Sequence, residues 1–162
     1  MDRLWAPWRM KYIREGVDKK YNGCIFCAKP AQQHEMDREN LILFRGAAAF
    51  VIMNAFPYNN GHLMVVPYKH TSSMDDIDGA AAAELWSLLA KSRQALSKAF
   101  NPDGFNIGIN LGRTAGAGID THLHAHIVPR WNGDVNFMPV IGETKVISQS
   151  LHDAYDALKG HF

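Results

Sequence analysis

The chain has 162 residues, of which 47% are apolar and 20% are charged, so it fits one globular domain with a real hydrophobic core. Its net charge of +1 argues against a nucleic acid or a membrane surface as partner. No stretch approaches the roughly 18 apolar residues of a membrane span. The opening residues mix charges with aromatic rings, unlike a signal peptide. We therefore expect a single cytoplasmic domain over residues 1–162.

The first forty residues read as an irregular segment that carries a Cys-x-x-Cys pair. Cys24 and Cys27, the only cysteines, lie in NGCIFCAKP. A secreted disulfide scaffold would use more of them, and a redox pair would follow a strand and begin a helix. As half of a zinc site, the pair needs two more ligands. The candidates are His34, His62, His70 and the three histidines near residue 124. The alternative is a pair of reduced cysteines packed as small apolar side chains.

Short apolar runs separated by turn residues predict the strands of one sheet. The runs at 41–46 and 48–54 flank a turn at Gly46 and predict a hairpin. Further strands are expected at 62–67, 104–110 and 122–128. The turn residues of AFPYNNGH precede the first of these three.

Two helices are expected. Leucines recur at helical spacing from about Gly79 to Phe100, with Asp78 as the N-cap and Asn-Pro-Asp-Gly as the stop. A second helix is expected at 148–159. Consecutive strands, one long helix and then more strands favour an α+β fold with an antiparallel sheet of about five strands.

Three histidines alternate with apolar residues in HLHAHIV. On a strand, side chains two residues apart share a face, so we expect His122, His124 and His126 on one face. One interpretation is a solvent-facing row without chemistry. Another is one catalytic metal bound by all three, but the outer Cα atoms would lie roughly 13 Å apart, which strains zinc–nitrogen bonds of about 2.0–2.1 Å.

A third interpretation makes the middle imidazole a nucleophile that attacks phosphorus. The glycine-rich loop LGRTAGAGIDT, which precedes the histidines, would supply backbone N–H groups to the phosphate oxygens. We favour this interpretation because it accounts for the loop and the histidines together. For the loop alone, a plain glycine turn is the alternative.

HLHAHIV resembles the signature of the histidine-triad (HIT) superfamily of nucleotide hydrolases and transferases. NNGHLMVVPYKH resembles the second marker of that superfamily, a turn leading into a strand that ends at Pro and then His. LWAPWRMKYI and PRWNGDVNFMPVIGETKV further resemble the branch with diadenosine tetraphosphate phosphorylase activity. The triad ends in His126 and not in glutamine, which argues against the hexose-phosphate uridylyltransferase branch. The resemblance implies a HIT-like fold and a homodimer.

The same resemblance implies roles for individual residues. His124 would take the α-phosphate of the nucleotide, and His126 would hydrogen-bond the phosphate or the leaving group. Asn54 would lie near the ribose, His62 close to the triad, and Asn110 facing the leaving group. By residue type alone, the two asparagines fit strand-end caps equally well, and His62 fits a turn histidine.

Members with an N-terminal Cys-x-x-Cys complete a structural zinc site with two histidines, which here correspond to His70 and His122. Such a closed site would brace the fold and leave water unactivated. In place of the Gly-Gln-Ser/Thr of many members, this chain has AGAGIDT, which is one residue longer. We expect the N–H groups of Gly116 and Gly118 to bind phosphate. Asp120 or Thr121 would replace the missing hydroxyl.

The chemistry implied is a double displacement on a dinucleoside polyphosphate. His124 would form a nucleotidyl-histidine, and phosphate or water would then release the nucleotide. The other nitrogen of His124 should be held by a hydrogen bond, and a backbone carbonyl is the expected acceptor because no carboxylate stands out. Two alternatives are an adenosine phosphoramidate hydrolase of the same superfamily and a nucleotide-binding sensor without turnover. No organic cofactor is expected.

Overall fold

The computed structural model describes residues 23–134 and 147–162. Within these residues the strands form one open antiparallel sheet. The strands are β1 (Ile42–Arg45), β2 (Ala49–Met53), β3 (Leu63–Pro67), β4 (Gly104–Ile109) and β5 (Ala125–Arg130). Their order across the sheet is β1-β2-β3-β5-β4, so β4 is an edge strand and β5 lies between β3 and β4.

The helices are α1 (Ile25–Ala28), α2 (Asp37–Asn40), α3 (Gly79–Phe100) and α4 (Leu151–Lys159), with 3₁₀ turns at His34–Met36, Met74–Asp76 and Arg113–Ala115. The long helix begins and ends as predicted. Asp78 accepts a hydrogen bond from the Ala81 N–H at 2.8 Å, and Asn101 ends the helix in a left-handed conformation with φ of 45°. None of the described helices is both long enough and apolar enough to cross a membrane.

The core lies between the sheet and the helices. Strands β2 and β3 are buried along their whole length, as their continuous apolar runs require, and α3 packs against them through Leu88, Leu89 and Leu96. The turn before β3 comes so close to α3 that a Cβ on Gly61 would lie 2.9 Å from the Leu96 side chain. With φ of +72°, Gly61 is therefore required by both conformation and space, and it places His62 at the start of β3.

The expected α+β class and antiparallel sheet are confirmed, but three boundaries differ. Residues 23–40, expected to be irregular, contain α1, a 3₁₀ turn and α2. Helices of four residues are too short to show an apolar period, so the sequence pattern misses them. Helix α4 begins at Leu151 rather than 148, after the Ser150 side chain caps the N–H of Asp153.

The third difference concerns the triad. Strand β5 begins at Ala125, not at 122. The residues before it leave the ladder because Leu123 N–H donates to the carbonyl of Thr71 and His122 donates to the carbonyl of Pro67. The motif LWAPWRMKYI and residues 135–146 of the second branch motif lie outside the described residues.

Candidate functional site

The structure brings together the four side chains that the resemblance implied for zinc. The potential ligand atoms of Cys24, Cys27, His70 and His122 all lie within 4.8 Å of one another. His122 Nδ1 is 3.3 Å from Cys24 Sγ, 3.6 Å from Cys27 Sγ and 3.2 Å from His70 Nδ1. Of the other candidates, His34 lies in an exposed 3₁₀ turn and His62 contacts the triad instead.

This cluster has the geometry and the chemistry of a tetrahedral zinc site. Bonds of about 2.0–2.3 Å place the ligands of such an ion about 3.3–3.8 Å apart, close to the distances found here. His122 Nε2–H donates to the Pro67 carbonyl at 2.8 Å, which leaves Nδ1 unprotonated and directed into the cluster. Burial, with the neighbouring Cys24, raises the pKa of the Cys27 thiol, so a thiolate here needs a cation beside it.

A backbone carbonyl holds the His124 ring in a single tautomer. Its Nδ1–H donates to the backbone carbonyl of His122 at 2.8 Å, the kind of acceptor expected from the sequence, and the Nε2 of the neutral ring is therefore the unprotonated nitrogen. Burial lowers the pKa of His124, and the hydrogen bond to the carbonyl opposes this effect. The buried Phe26 ring lies 5.0 Å from the His124 ring.

His126 is held through His62 in the opposite tautomer, with its proton on Nε2. The Tyr58 backbone N–H donates to His62 Nδ1 at 3.1 Å, so the proton of neutral His62 lies on Nε2. That group contacts His126 Nδ1 at 2.9 Å, and neutral His126 consequently carries its own proton on Nε2. The His124 and His126 rings lie 4.9 Å apart between centroids. The pair therefore offers one unprotonated nitrogen and one N–H donor to a substrate.

Two of the three interpretations of the histidine row are wrong. The histidines are 1%, 5% and 9% exposed, so they are not a solvent-facing row. They do not converge on one metal either, because their Nδ1 atoms have different partners. The Nδ1 of His122 faces the cysteines, the Nδ1 of His124 contacts a backbone carbonyl, and the Nδ1 of His126 contacts another histidine. The strand alternation that predicted a common face does not apply to the first two, which precede β5.

The remaining predicted residues follow strands β2 and β4 or lie in the loop that precedes the triad. Asn54 follows β2, where its side chain accepts a hydrogen bond from Phe56 N–H and so caps the strand end. Asn110 follows β4, one residue after the pair Ile109 and Ala125. The Gly116 N–H, expected to bind phosphate, donates to the Arg113 carbonyl at 2.9 Å because the loop closes a 3₁₀ turn there. Gly118 and Thr121 lie nearer the triad in the same loop.

Sequence reasoning missed two features of this region. The Tyr58 N–H gives no sequence signal, since every non-proline residue has one and only the fold directs it at His62. The second feature is an ion pair across the glycine loop, in which Arg113 Nε donates to Asp120 Oδ2 at 2.7 Å. The sequence had offered Asp120 only as a substitute for a hydroxyl.

Comparison with known proteins agrees with the fold and the site. Residues 35–133 match the family model of the HIT domain. The AP-4-A phosphorylase of Mycobacterium tuberculosis (strain H37Rv) is 42% identical over 156 residues, which cover 94% of this chain and 80% of the relative. An uncharacterized HIT-like protein of Methanocaldococcus jannaschii is 32% identical over 137 residues, 85% of this chain and 99% of that protein.

Two solved structures share the fold. A hypothetical histidine triad nucleotide-binding protein from Sulfolobus tokodaii superposes with a TM-score of 0.66 at 25% identity, over 85% of this chain and 91% of that one. A zinc-bound histidine triad family protein from Mycobacterium smegmatis has a TM-score of 0.66 at 23% identity, over 86% and 92%. The class defined by this sheet and its buried histidines is thus the histidine-triad fold, and the chain belongs to the HIT domain family.

Proposed function

We propose that this protein is a phosphorylase that cleaves dinucleoside polyphosphates at the α-phosphate, with diadenosine tetraphosphate as its substrate. The observation that carries the proposal is the opposed protonation of two adjacent imidazoles, an unprotonated Nε2 on His124 and an N–H donor on His126. The relative named AP-4-A phosphorylase supports the choice of substrate, since the similarity covers 94% of this chain.

The reaction proceeds in two displacements. His124 Nε2 attacks the α-phosphorus, the bond to the bridging oxygen breaks, and ATP leaves with the electron pair. His126 Nε2–H hydrogen-bonds the developing charge on the leaving oxygen. Inorganic phosphate then attacks the adenylyl-histidine, the phosphorus–nitrogen bond breaks, and ADP is released with His124 regenerated.

The residues around the triad bind the rest of the substrate. In this proposal Asn54 contacts the ribose and His62 completes the wall of the nucleoside pocket. Asn110 faces the leaving group from the end of β4, and the N–H of Gly118 binds phosphate oxygen. The contact of His62 with His126, the backbone hydrogen bond from Asn54 to His62 and the pairing of Ile109 with Ala125, one residue before Asn110, support the assignment.

Zinc is proposed as the ion of the Cys₂His₂ cluster. Cys24, Cys27, His70 and His122 would hold it, and as a closed four-ligand site it would supply a structural cross-link rather than a bound water. The distances between ligand atoms and the tautomer of His122 support this choice. Reduced cysteine ligands also suit the cytoplasm, where we place the protein.

A homodimer is proposed through the edge strand β4. Ile107, Ile109 and Leu111 lie two residues apart, share one face and are each exposed by 38% or more. An exposed apolar edge strand invites pairing with another strand, and a second copy of β4 would cover this face.

Product analysis on diadenosine tetraphosphate, with and without inorganic phosphate, tests the function. Ion-exchange chromatography should show ADP plus ATP, and only when phosphate is present. AMP plus ATP without phosphate would instead identify a hydrolase, and cleavage of adenosine phosphoramidate alone would identify the other superfamily activity. A sensor would show none of these reactions.

The His124→Asn variant separates an enzyme from a sensor. We expect turnover to fall by about 10³-fold or more while the affinity for nucleotide is retained, because only the attacking nitrogen is lost. Native turnover in this variant would exclude His124 as the nucleophile.

A further inference from the structure

The loop between β4 and β5 leaves and rejoins the sheet beside the candidate nucleophile. The two strands pair at Ile109 and Ala125, and Gly108 lies opposite His126. Residues 110–124 therefore begin and end at one point of the sheet, next to the triad. A long side chain carried by this loop is placed to meet a phosphate chain that extends away from His124.

One arginine occupies this loop, and its position is defined by two features. Arg113 begins a 3₁₀ turn bounded by Gly112 and Gly116, whose φ angles of +78° and +93° suit glycine. Its Nε donates to Asp120 Oδ2 at 2.7 Å, which ties together two points of the loop seven residues apart. The Arg113 side chain is 86% exposed and that of Asp120 is 28% exposed.

In such an ion pair the arginine readily exchanges its carboxylate partner for a phosphate group. Ion pairs at the surface contribute little to stability, because both charges are well solvated. The contact to Asp120 engages Nε, and with most of the side chain in solvent the terminal nitrogens of the guanidinium are accessible. The planar guanidinium fork matches phosphate oxygens in a bidentate manner.

The triad itself supplies donors but little charge. The ring of His124 donates its Nδ1–H to a backbone carbonyl and the ring of His126 accepts a hydrogen bond at Nδ1, as neutral imidazoles do. Each phosphate of a dinucleoside polyphosphate is negatively charged, so the phosphates beyond the α position require a cation. Arg113 carries such a charge on the loop that borders the site.

We propose that Arg113 exchanges Asp120 for the phosphates beyond the α-phosphate and thereby selects substrates with long polyphosphate chains. This inference rests on the proposed function, whose site it extends. Asp120 orients the guanidinium in the free protein and competes with the substrate for it. Ligands with a single phosphate do not reach Arg113, so the arginine discriminates by chain length.

The test compares the binding of ATP and of AMP by isothermal titration calorimetry. The zinc-loaded chain of 162 residues is used in the His124→Asn background, so that turnover does not interfere. Arg113→Ala should weaken ATP binding about tenfold and leave AMP binding unchanged. Arg113→Lys should restore part of the loss, and Asp120→Asn should tighten ATP binding several-fold. Arg93→Ala, at an exposed arginine of α3, is the matched control and should alter neither.

Two outcomes would overturn the assignment. Equal weakening of ATP and AMP in Arg113→Ala would mean that the arginine shapes the loop rather than binding distal phosphates. Unchanged ATP binding would remove it from the site. If the wild-type protein failed to cleave diadenosine tetraphosphate while ATP binding still depended on Arg113, the proposed function would fail and the phosphate-binding role would stand.

Discussion

The two imidazoles at the centre of the site differ because different backbone groups hold them. A carbonyl accepts the Nδ1 proton of His124, whereas an N–H begins the chain through His62 that ends at His126 Nδ1. A backbone carbonyl can only accept and a backbone N–H can only donate, so each contact allows a single tautomer. Two chemically identical side chains thereby become an acceptor and a donor without any carboxylate.

The role of His62 gives the first prediction. His62→Phe should lower kcat on diadenosine tetraphosphate by about 100-fold with little change in KM, because His126 loses the partner that keeps its proton on Nε2. His62→Gln, which retains an N–H donor, should recover part of the rate. Nitrogen NMR of His126 should show an Nε2–H tautomer in the wild-type protein and a mixture in His62→Phe.

His34→Ala is the control, since this histidine is exposed and lies away from the triad. It should leave both kcat and the NMR spectrum of His126 unchanged. An Nδ1–H tautomer in the wild-type protein would refute the donor role of His126.

Among the elements, α1 and the residues before β5 join the cysteine cluster to the triad. His122 contributes its ring to the cluster and its carbonyl to His124. Phe26, between the two cysteines, packs against the rings of both histidines, at 5.5 and 5.0 Å between centroids. A change at the cluster therefore reaches His124 through one backbone group and one buried ring.

Metal removal gives the second prediction. Chelation of zinc should lower the Tm by several degrees, because an ion that binds only the folded chain stabilises it. It should also lower kcat, since the His122 carbonyl is no longer held beside His124. His70→Ala should reproduce both effects and should reduce bound zinc measured by atomic absorption. Full activity in a metal-free preparation would show that the cluster and the triad are independent.

Helix α4 is attached to strand β1 by a buried hydrogen bond and to helix α2 by an exposed ion pair. Tyr155 Oη–H donates to the Ile42 carbonyl at 3.0 Å, and the tyrosine is 3% exposed. On the surface, Arg38 pairs with Asp156, and this contact lowers the pKa of the Asp156 carboxyl.

The third prediction compares these two contacts. Tyr155→Phe should reduce the free energy of unfolding by about 1 kcal/mol, because a buried carbonyl loses its donor. Asp156→Asn should leave the urea midpoint essentially unchanged, since water screens the exposed pair. Equal losses of unfolding free energy in the two variants would contradict the expectation that the buried hydrogen bond contributes more to stability than the exposed ion pair.

For the molecule as a whole, the order of strands determines which surface can pair. Strand β5, which carries His126, is central and covered on both edges, whereas β4 has one edge open. Trp86, on α3, is exposed by 76% but is a single side chain on a helix rather than part of an open strand edge.

The oligomeric state gives the fourth prediction. Ile107→Lys should convert the dimer to monomer in sedimentation velocity, because a charge replaces an apolar side chain at the centre of the proposed interface. Trp86→Lys removes an apolar group elsewhere that is more exposed than Ile107, and it should leave the proposed dimer intact. A monomeric wild-type protein, or dissociation by Trp86→Lys instead, would rule out the β4 interface.

Much of the fold follows from local patterns in the chain. The limits of α3 follow from its leucine spacing, its Asp78 cap and its Asn-Pro-Asp-Gly stop, and the strands of the sheet follow from apolar runs between turns. The start of β5 does not, because HLHAHIV alternates throughout while bonds from distant residues pull His122 and Leu123 out of the ladder.

The sequence by itself determined that three histidines, two cysteines and a glycine loop are present, and resemblance to a family grouped the two cysteines with His70 and His122, which the structure brings together. Only the tertiary structure decided what each histidine does. The acceptor for His122 is a carbonyl 55 residues away, and the partner of His126 is a histidine 64 residues away. Tautomers depend on such long-range partners, which no local spacing specifies, so the division between a ring that faces the cysteines, a ring that can accept a proton and a ring that can donate one exists only in the folded chain.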